Sequence, residues 1–476
     1  MSKKNTTRKE KDALGFVQVP KDVYFGSTTT RALNNFQISG ISAPEIFIRA
    51  LGIVKKSAAK ANYTLRLITR DQYKAIEQAC TEFMNGEYSD QFVVDIFQAG
   101  AGTSYNMNSN EIIANRANEI MGGKKGKYEF VHPNDHVNLS QSTNDVIPTT
   151  IRLAILMLLP SLLQEVEKLE NEFQKKSEEY KGFIKVGRTH LQDAVPITFG
   201  QEFDAYKEAL RKARDFISKT SENLKTLSIG GTAVGTGITT DPQYKKLTVH
   251  NISKTLGIAF KSNRNLTEGA NNMNPFLEFS ATLRSLSTAL INIAGDIKLM
   301  GMGPKSGLTE LILPEVQPGS SIMPGKINPS IPECLEMICL QSLGNDKTIE
   351  LAAQKSQFEL NVMTPLIMYN IVQSTEILTN GTKMFREKCI KGLKVNKVKA
   401  KKLYENSLCL ATALAPYLGY SLTAEIVKAA LKKNVPIREE VLSRKIYTKQ
   451  ELNEILSIRA TTKPSTLNKK FVRKSQ

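Results

Sequence analysis

Three stretches of this chain repeat apolar side chains at spacings of three and four over roughly six turns or more. Ile151, Ile155, Leu158, Leu162, Val166, Leu169 and Phe173 form the first stripe. Phe203, Tyr206, Leu210, Ala213, Ile217 and Leu224 form the second, with Thr220 interrupting it. Phe279, Leu283, Leu286, Leu290, Ile293, Ile297 and Met300 form the third. Helices of that length exceed the globular average. A long helix with one apolar stripe must bury the stripe against other helices, so the pattern predicts a bundle, one suited to being shared between subunits. Pro160 predicts a kink in the first helix. Strand signals are sparse, and the expected fold class is all-α. Near Lys399 the pattern shortens. Leu403 to Leu418 and Leu422 to Leu431 read as shorter helices with Gly419 between them. The expected division is an N-terminal helical domain (1–143), a central long-helix domain (144–398) and a small C-terminal helical domain with a basic tail (399–476).

Composition narrows the class. The chain has 476 residues, 41% hydrophobic and 23% charged, and no tryptophan, as in soluble globular proteins. No uninterrupted apolar run reaches the length of a membrane span. The start, Met1-Ser2-Lys3-Lys4-Asn5, leads into Arg8-Lys9-Glu10-Lys11 without an apolar signal core, so cytoplasm is the expected compartment. The net charge of +18 raises a nucleic-acid reading. Two segments carry 13 of those charges: Arg386 to Lys402 at +7 and Arg459 to Gln476 at +6. Neither interleaves aromatics with its cations, and no nucleic-acid motif stands out. The first reads as a solvated helical face. The second, rich in Ser, Thr and Lys, reads as a mobile tail. Both leave room for nonspecific polyanion contact at low salt.

Cys80, Cys334, Cys339, Cys389 and Cys409 are scattered with no CxxC, which points to reduced thiols and away from a zinc site. His132 and His136 flank Pro133-Asn134-Asp135, a loop signal, so no metal site is expected there. Gly230-Gly231-Thr232-Ala233-Val234-Gly235-Thr236-Gly237 follows a long helix and not a strand. That context argues against dinucleotide binding and for a helix break where backbones approach closely.

The run Gly319-Ser320-Ser321-Ile322-Met323-Pro324-Gly325-Lys326-Ile327-Asn328-Pro329 sets two hydroxyls, an ammonium and an amide on a loop, because Pro318, Pro324 and Pro329 exclude a continuous helix. Such a loop can place a serine nucleophile or base beside cationic and amide partners for an anion. Its order closely resembles the signature of the aspartase/fumarase superfamily. Three further motifs match in the family order. They are Gly102-Thr103-Ser104-Tyr105-Asn106-Met107-Asn108; Asn134-Asp135-His136-Val137-Asn138 with Ser140-Gln141-Ser142-Thr143-Asn144-Asp145; and Gly187-Arg188-Thr189-His190-Leu191-Gln192-Asp193-Ala194-Val195-Pro196. The glycine run is similar to a family segment too, and weaker likeness extends from Asp12 to about Glu451.

The resemblance implies a three-domain all-α fold with a long central helical bundle in a homotetramer. It implies active sites built from three subunits and elimination of an amine or water from a succinyl group to give fumarate. That chemistry removes a barely acidic proton next to a carboxylate, which must take a second negative charge as an aci-carboxylate. Fixed donors must therefore surround it. Thr103, Ser142, Thr143 and Ser321 supply hydroxyls. Asn144-Asp145 followed by Pro148 looks like a helix start whose free N–H groups suit an anion. Lys326 and Asn328 fit the second carboxylate. By resemblance, Ser320 is the general base acting as an alkoxide, its acidity raised by Lys326 and loop amides. Thr189 lies beside the substrate, His190 orients the amino group, and Glu333 pairs with that histidine. The chemistry calls for no organic cofactor, and the sequence offers no metal site.

Leu191-Gln192-Asp193-Ala194-Val195-Pro196, the Ser142-Thr143 pair, Asn134-Asp135-His136 and Pro332 before Glu333 look more like the branch that deaminates L-aspartate than like fumarate hydratases. Hydration of fumarate is the alternative, and a catalytically silent scaffold or polyanion-binding protein is the second. Lys305 in Gly303-Pro304-Lys305, the Asn271-Asn272-Met273-Asn274 stretch and Thr28-Thr29 depart from the family pattern. Arginine to lysine is not neutral at a bidentate contact.

Overall fold

A computed structural model describes residues 6–473. The Met1–Asn5 start and residues 474–476 of the basic tail lie outside the described residues. Each apolar stripe is helical: Thr143–Glu179, Phe199–Ser221 and Asn274–Met300. Ile151, Ile155, Leu162, Val166, Leu169 and Phe173 of the first are fully buried, as are Phe203, Leu210, Ile217, Phe279, Leu286 and Leu290 of the others. The first helix runs through both Pro148 and Pro160. An 18-residue stretch of it is long and apolar enough to cross a bilayer, but 72% of that stretch is buried against protein, as in a core helix. Two further long helices, Ser330–Ala353 and Thr364–Phe385, were not legible as stripes. The strands are short and pair two by two.

The chain forms two compact units. One comprises Met1–Leu163, Asp215–Ser287 and Leu340–Thr379. Within it, helix Glu45–Thr64 packs against Arg70–Met84 and Tyr244–Leu256, and Arg70–Met84 packs against Thr103–Ile120. Phe83, Phe92, Tyr105 and Phe47 form a chain of rings with centroids 5.4 to 6.0 Å apart. The buried Glu111 carboxylate accepts the N–H groups of Gly26, Thr28 and Thr29 and the Thr29 hydroxyl at 2.6 to 3.1 Å. Thr28-Thr29 is thus accommodated as a hydrogen-bonded helix start. Asn272 Oδ1 likewise accepts the N–H of Asn274 at 2.9 Å, at the head of helix Asn274–Met300.

The other unit comprises Gln164–Arg214, Thr288–Cys339 and Asn380–Gln476. Its C-terminal part is a set of short helices, and two expectations change there. Leu403 to Leu418 is not one helix. Lys397–Asn406 ends at Ser407, whose backbone is extended and whose hydroxyl caps the turn Leu408–Leu410, and a second helix runs from Ala411 to Leu418. Gly419, at φ 84°, separates it from Tyr420–Lys433. The basic tail is not free either. Phe471 is 4% exposed within the same apolar cluster as Leu414, Ile426 and Val441. Its carbonyl accepts the Tyr447 hydroxyl at 2.7 Å, and the Arg473 N–H donates to the Tyr417 carbonyl at 2.8 Å. One aromatic ring in a pocket offsets the ordering entropy that the tail's cations alone could not.

Candidate active site

In the first unit the candidate residues Ser142, Thr143 and Asn144 stand at the start of helix Thr143–Glu179. The Asn144 N–H donates to Ser142 Oγ at 3.3 Å, and Asp145 reaches back to accept the Ser142 N–H at 3.0 Å. This reciprocal cap fixes Ser142, Thr143 and Asn144 in one turn. Asp145 Oδ2 also accepts the N–H groups of Gly230 and Thr232 at 3.0 and 2.8 Å, and Asn144 Nδ2 donates to the Ala233 carbonyl at 2.7 Å. The glycine run therefore wraps a carboxylate of its own chain. Gly235, at φ +88°, lies so near the next segment that a Cβ would stand 2.2 Å from the Thr267 nitrogen. Close backbone approach is the role of these glycines.

Beneath that turn lies Lys55, fully buried on helix Glu45–Thr64. Its ammonium donates to Asn106 Oδ1 at 2.6 Å, Asn138 Oδ1 at 3.0 Å and Gln141 Oε1 at 2.9 Å. Asn106 Nδ2 continues to Thr143 Oγ1 at 3.2 Å. Burial pushes Lys55 down to about 7 against the opposing pull of Asp145. Burial pushes Asp145 up to about 6 despite its three backbone donors and Lys55. Thr103 opens helix Thr103–Ile120, its side chain exposed and its hydroxyl on the Gly100 carbonyl at 2.6 Å. Gly102, at φ +87°, comes close to Ile147: a Cβ there would meet its side chain at 2.9 Å.

In the second unit, strands Ile184–Thr189 and Gln192–Thr198 form an antiparallel hairpin closed by the Thr189↔Gln192 pair. The two turn residues, His190 and Leu191, both have positive φ, 55° and 59°. Such a turn normally recruits Gly or Asn, so holding histidine and leucine there costs about 1 kcal/mol or more per residue. The turn leaves Thr189 and His190 exposed at the tip.

The 319–329 run is a loop, as its prolines require. It is pinched at its base: Asn328 Nδ2 donates to the Gly319 carbonyl at 2.7 Å, and a Cβ on Gly319 would lie 2.2 Å from the Lys326 carbonyl oxygen. Inside the loop the N–H groups of Ile322 and Met323 donate to Ser320 Oγ at 3.3 and 3.0 Å. Ser321 and Lys326 are exposed. The loop borders a cavity of about 460 Å³ lined by Glu315, Gln317, Ser320, Met323 and Lys326. Glu333 stands exposed in the first turn of helix Ser330–Ala353. Among the described residues no hydrogen bond or ion pair joins it to His190.

The structure thus groups Ser142, Thr143 and Asn144, with Thr103 on the helix that bears Asn106. It holds Ser320 and Asn328 in one loop. Sequence reasoning missed Lys55, Asp145 as a carboxylate cradle, and the pairing of Arg188 with Glu310. Lys55 left one signal: it falls on the buried stripe of its own helix, with Ile48, Leu51 and Ala59. His132 and His136 serve their own turn. His132 Nδ1 accepts the N–H groups of Asn134 and Asp135 at 3.3 Å, and His136 Nδ1 accepts the His132 N–H at 2.8 Å. Among the described residues, no group of three or more His, Cys, Asp or Glu side chains could hold a metal ion.

A family model described as Lyase matches residues 15–344, and one described as Fumarase C C-terminus matches residues 410–463. An aspartate ammonia-lyase of Bacillus sp is 44% identical over 463 residues, covering 97% of this chain and 99% of that protein. The aspartate ammonia-lyase of Escherichia coli (strain K12) is 39% identical, covering 99% of each. Among solved structures, a fumarate lyase:delta crystallin from Brucella melitensis bound to cobalt superposes with a TM-score of 0.91 at 44% identity, covering 94% of this chain and 98% of that one. A class II fumarase from Schistosoma mansoni does so at 0.91 and 36% identity, covering 95% and 98%.

Proposed function

The chain belongs to the aspartase/fumarase superfamily, and from that premise we propose that it is a carbon–nitrogen lyase converting L-aspartate reversibly to fumarate and ammonia. Ser320, as an alkoxide, takes the proton from the carbon next to one carboxylate. The electron pair moves into that carboxylate, held as its dianionic aci form. Its return makes the carbon–carbon double bond while the carbon–nitrogen bond breaks and the amine leaves. The observation that carries this role is the pair of backbone N–H groups on Ser320 Oγ, which favour the ionised oxygen. Thr103, Ser142, Thr143, Asn144 and Ser321 donate to the aci-carboxylate, Lys326 and Asn328 hold the other carboxylate, and Thr189 and His190 receive the amino group with Glu333 behind the histidine.

Assembly as a homotetramer completes the site. Supporting it, Met337, Leu340 and Leu351 stand 68%, 61% and 51% exposed on helix Ser330–Ala353, more apolar surface than one helix face leaves to water. We place the enzyme in the cytoplasm, in the three-domain division 1–143, 144–398 and 399–476. The basic tail, with Lys463, Lys469 and Lys470 exposed, is the surface for nonspecific polyanion contact. Hydration of fumarate is the second reading, favoured by the likeness to a class II fumarase. Purified protein supplied separately with L-aspartate and L-malate, followed by fumarate absorbance, separates them: fumarate with equimolar ammonia from aspartate is the expected result, and faster turnover of malate overturns it.

A further inference from the structure

Arg188 and Glu310 form an ion pair inside the second unit. The guanidinium donates through both terminal nitrogens to both carboxylate oxygens, at 2.8 and 3.2 Å. The Glu310 side chain is fully buried and that of Arg188 is 18% exposed. A buried pair of this kind is poor at stabilising a fold, because desolvating both charges offsets most of their attraction. What it does well is hold one geometry, since the planar fork meets the carboxylate in a single orientation.

The two ends of the pair lie on two segments that each carry proposed site residues. Arg188 is one residue from Thr189 and two from His190. The hairpin is bulged just there, its register shifting between Val186 and Arg188. Gly187 makes the bulge feasible: a Cβ would stand 2.4 Å from the Val195 carbonyl oxygen. A bulge re-aims the side chain that follows it, here the arginine. Glu310 precedes the strand Leu311–Ile312, which pairs with Lys394–Val395, and its carbonyl accepts the Asn396 N–H at 2.9 Å. The chain leaving that strand becomes the loop that carries Ser320. One ion pair therefore ties the histidine turn to the root of the serine loop.

We propose that Arg188, through Glu310, is a positioning residue for the elimination: the pair holds the strained His190 turn against the strand that leads into the Ser320 loop, in whichever site of the assembly each of them serves. The inference rests on the deamination reading and deepens it. The turn itself uses residues that disfavour its backbone, and the hairpin's other ties, Lys185 to Glu202 and Asp193 to the Leu408 N–H, lead to elements other than the one that runs into the Ser320 loop.

Arg188→Lys keeps the charge and loses the fork. In the full-length protein it is expected to lower kcat for L-aspartate by about tenfold to a hundredfold, with KM changed less than about threefold, the cost of a slight misplacement of reacting groups. Amide exchange should quicken in peptides 186–193 and 311–329 and stay unchanged elsewhere in the unit. In a His190→Asn background, Arg188→Lys should cost less than about threefold, because it acts through that turn. Glu310→Gln, which keeps one acceptor oxygen, is the second variant and should read the same way if the first folds poorly. Fully multiplicative losses, an unchanged kcat, or faster exchange spread across the unit would each overturn the proposal. A wild-type protein inert toward L-aspartate would remove the deamination reading alone, and the exchange pattern would still decide the role of the pair.

Discussion

Replacing Lys55 with methionine should change how stability depends on pH. The ammonium is fully buried and its proton affinity is pushed down to about 7, whereas in the unfolded chain it stays near the ordinary 10.5. Between those values the unfolded chain binds a proton that the folded chain has released. Stability therefore rises with pH across that window, by about 1.4 kcal/mol per pH unit and about 5 kcal/mol in all. Asp145 works in the opposite sense. Its carboxyl is raised from 3.8 to about 6, so the folded chain keeps a proton that the unfolded chain has lost, and stability falls by about 3 kcal/mol as pH rises through that window. Methionine, of similar length, removes the lysine window. It leaves Asn106 Oδ1 and Gln141 Oε1 without the Lys55 donor, and it takes a counter-charge from Asp145, whose carboxyl should rise further. The gap between wild type and variant should therefore widen by about 1.4 kcal/mol per unit from pH 7 upward. Urea unfolding at pH 7, 8 and 9, at one protein concentration, measures it. Because Gln141 adjoins Ser142, kcat should fall as well. Stability curves that run parallel from pH 7 to 9 would refute the reasoning, since a lysine charged throughout that range predicts no change in the gap.

Ser320→Ala should abolish turnover while leaving the fold intact, since the side chain is on a loop and only partly buried; a variant keeping more than about a tenth of normal kcat would exclude Ser320 as the base, because about 1.4 kcal/mol or less would then be at stake. Gly235→Ala should cost about 2 kcal/mol or more, through a disfavoured backbone and overlap with Thr267, and should weaken activity by displacing Ala233 from Asn144; thermal unfolding and kcat/KM report the two effects. Phe471→Ala should destabilise the C-terminal helices by about 3 kcal/mol or more, unless undocking of the tail caps the loss, and truncation after Ser457 should do the same; melting curves unchanged by either would show that the ring's pocket is not stabilising.

The three striped helices, the serine loop and the helix start near Asn144-Asp145 were legible because each is written in neighbouring residues. A stripe needs only a period, a loop only its prolines, a helix start only a polar pair and a following proline. The full fate of Asp145 was not legible, because two of its three backbone donors lie 85 and 87 residues away. The Arg188–Glu310 pair spans 122 residues and was invisible for the same reason. The tail shows the limit most plainly. Arg459 to Gln476 has the composition of a mobile segment, yet its single ring is held by a pocket and its backbone by the Tyr447 hydroxyl and the Tyr417 carbonyl, all from other elements. Local pattern determined what each segment of this chain could become. Only the tertiary structure decided which buried charges found partners and which ends found a surface, because burial is set by the atoms the rest of the chain brings to a point.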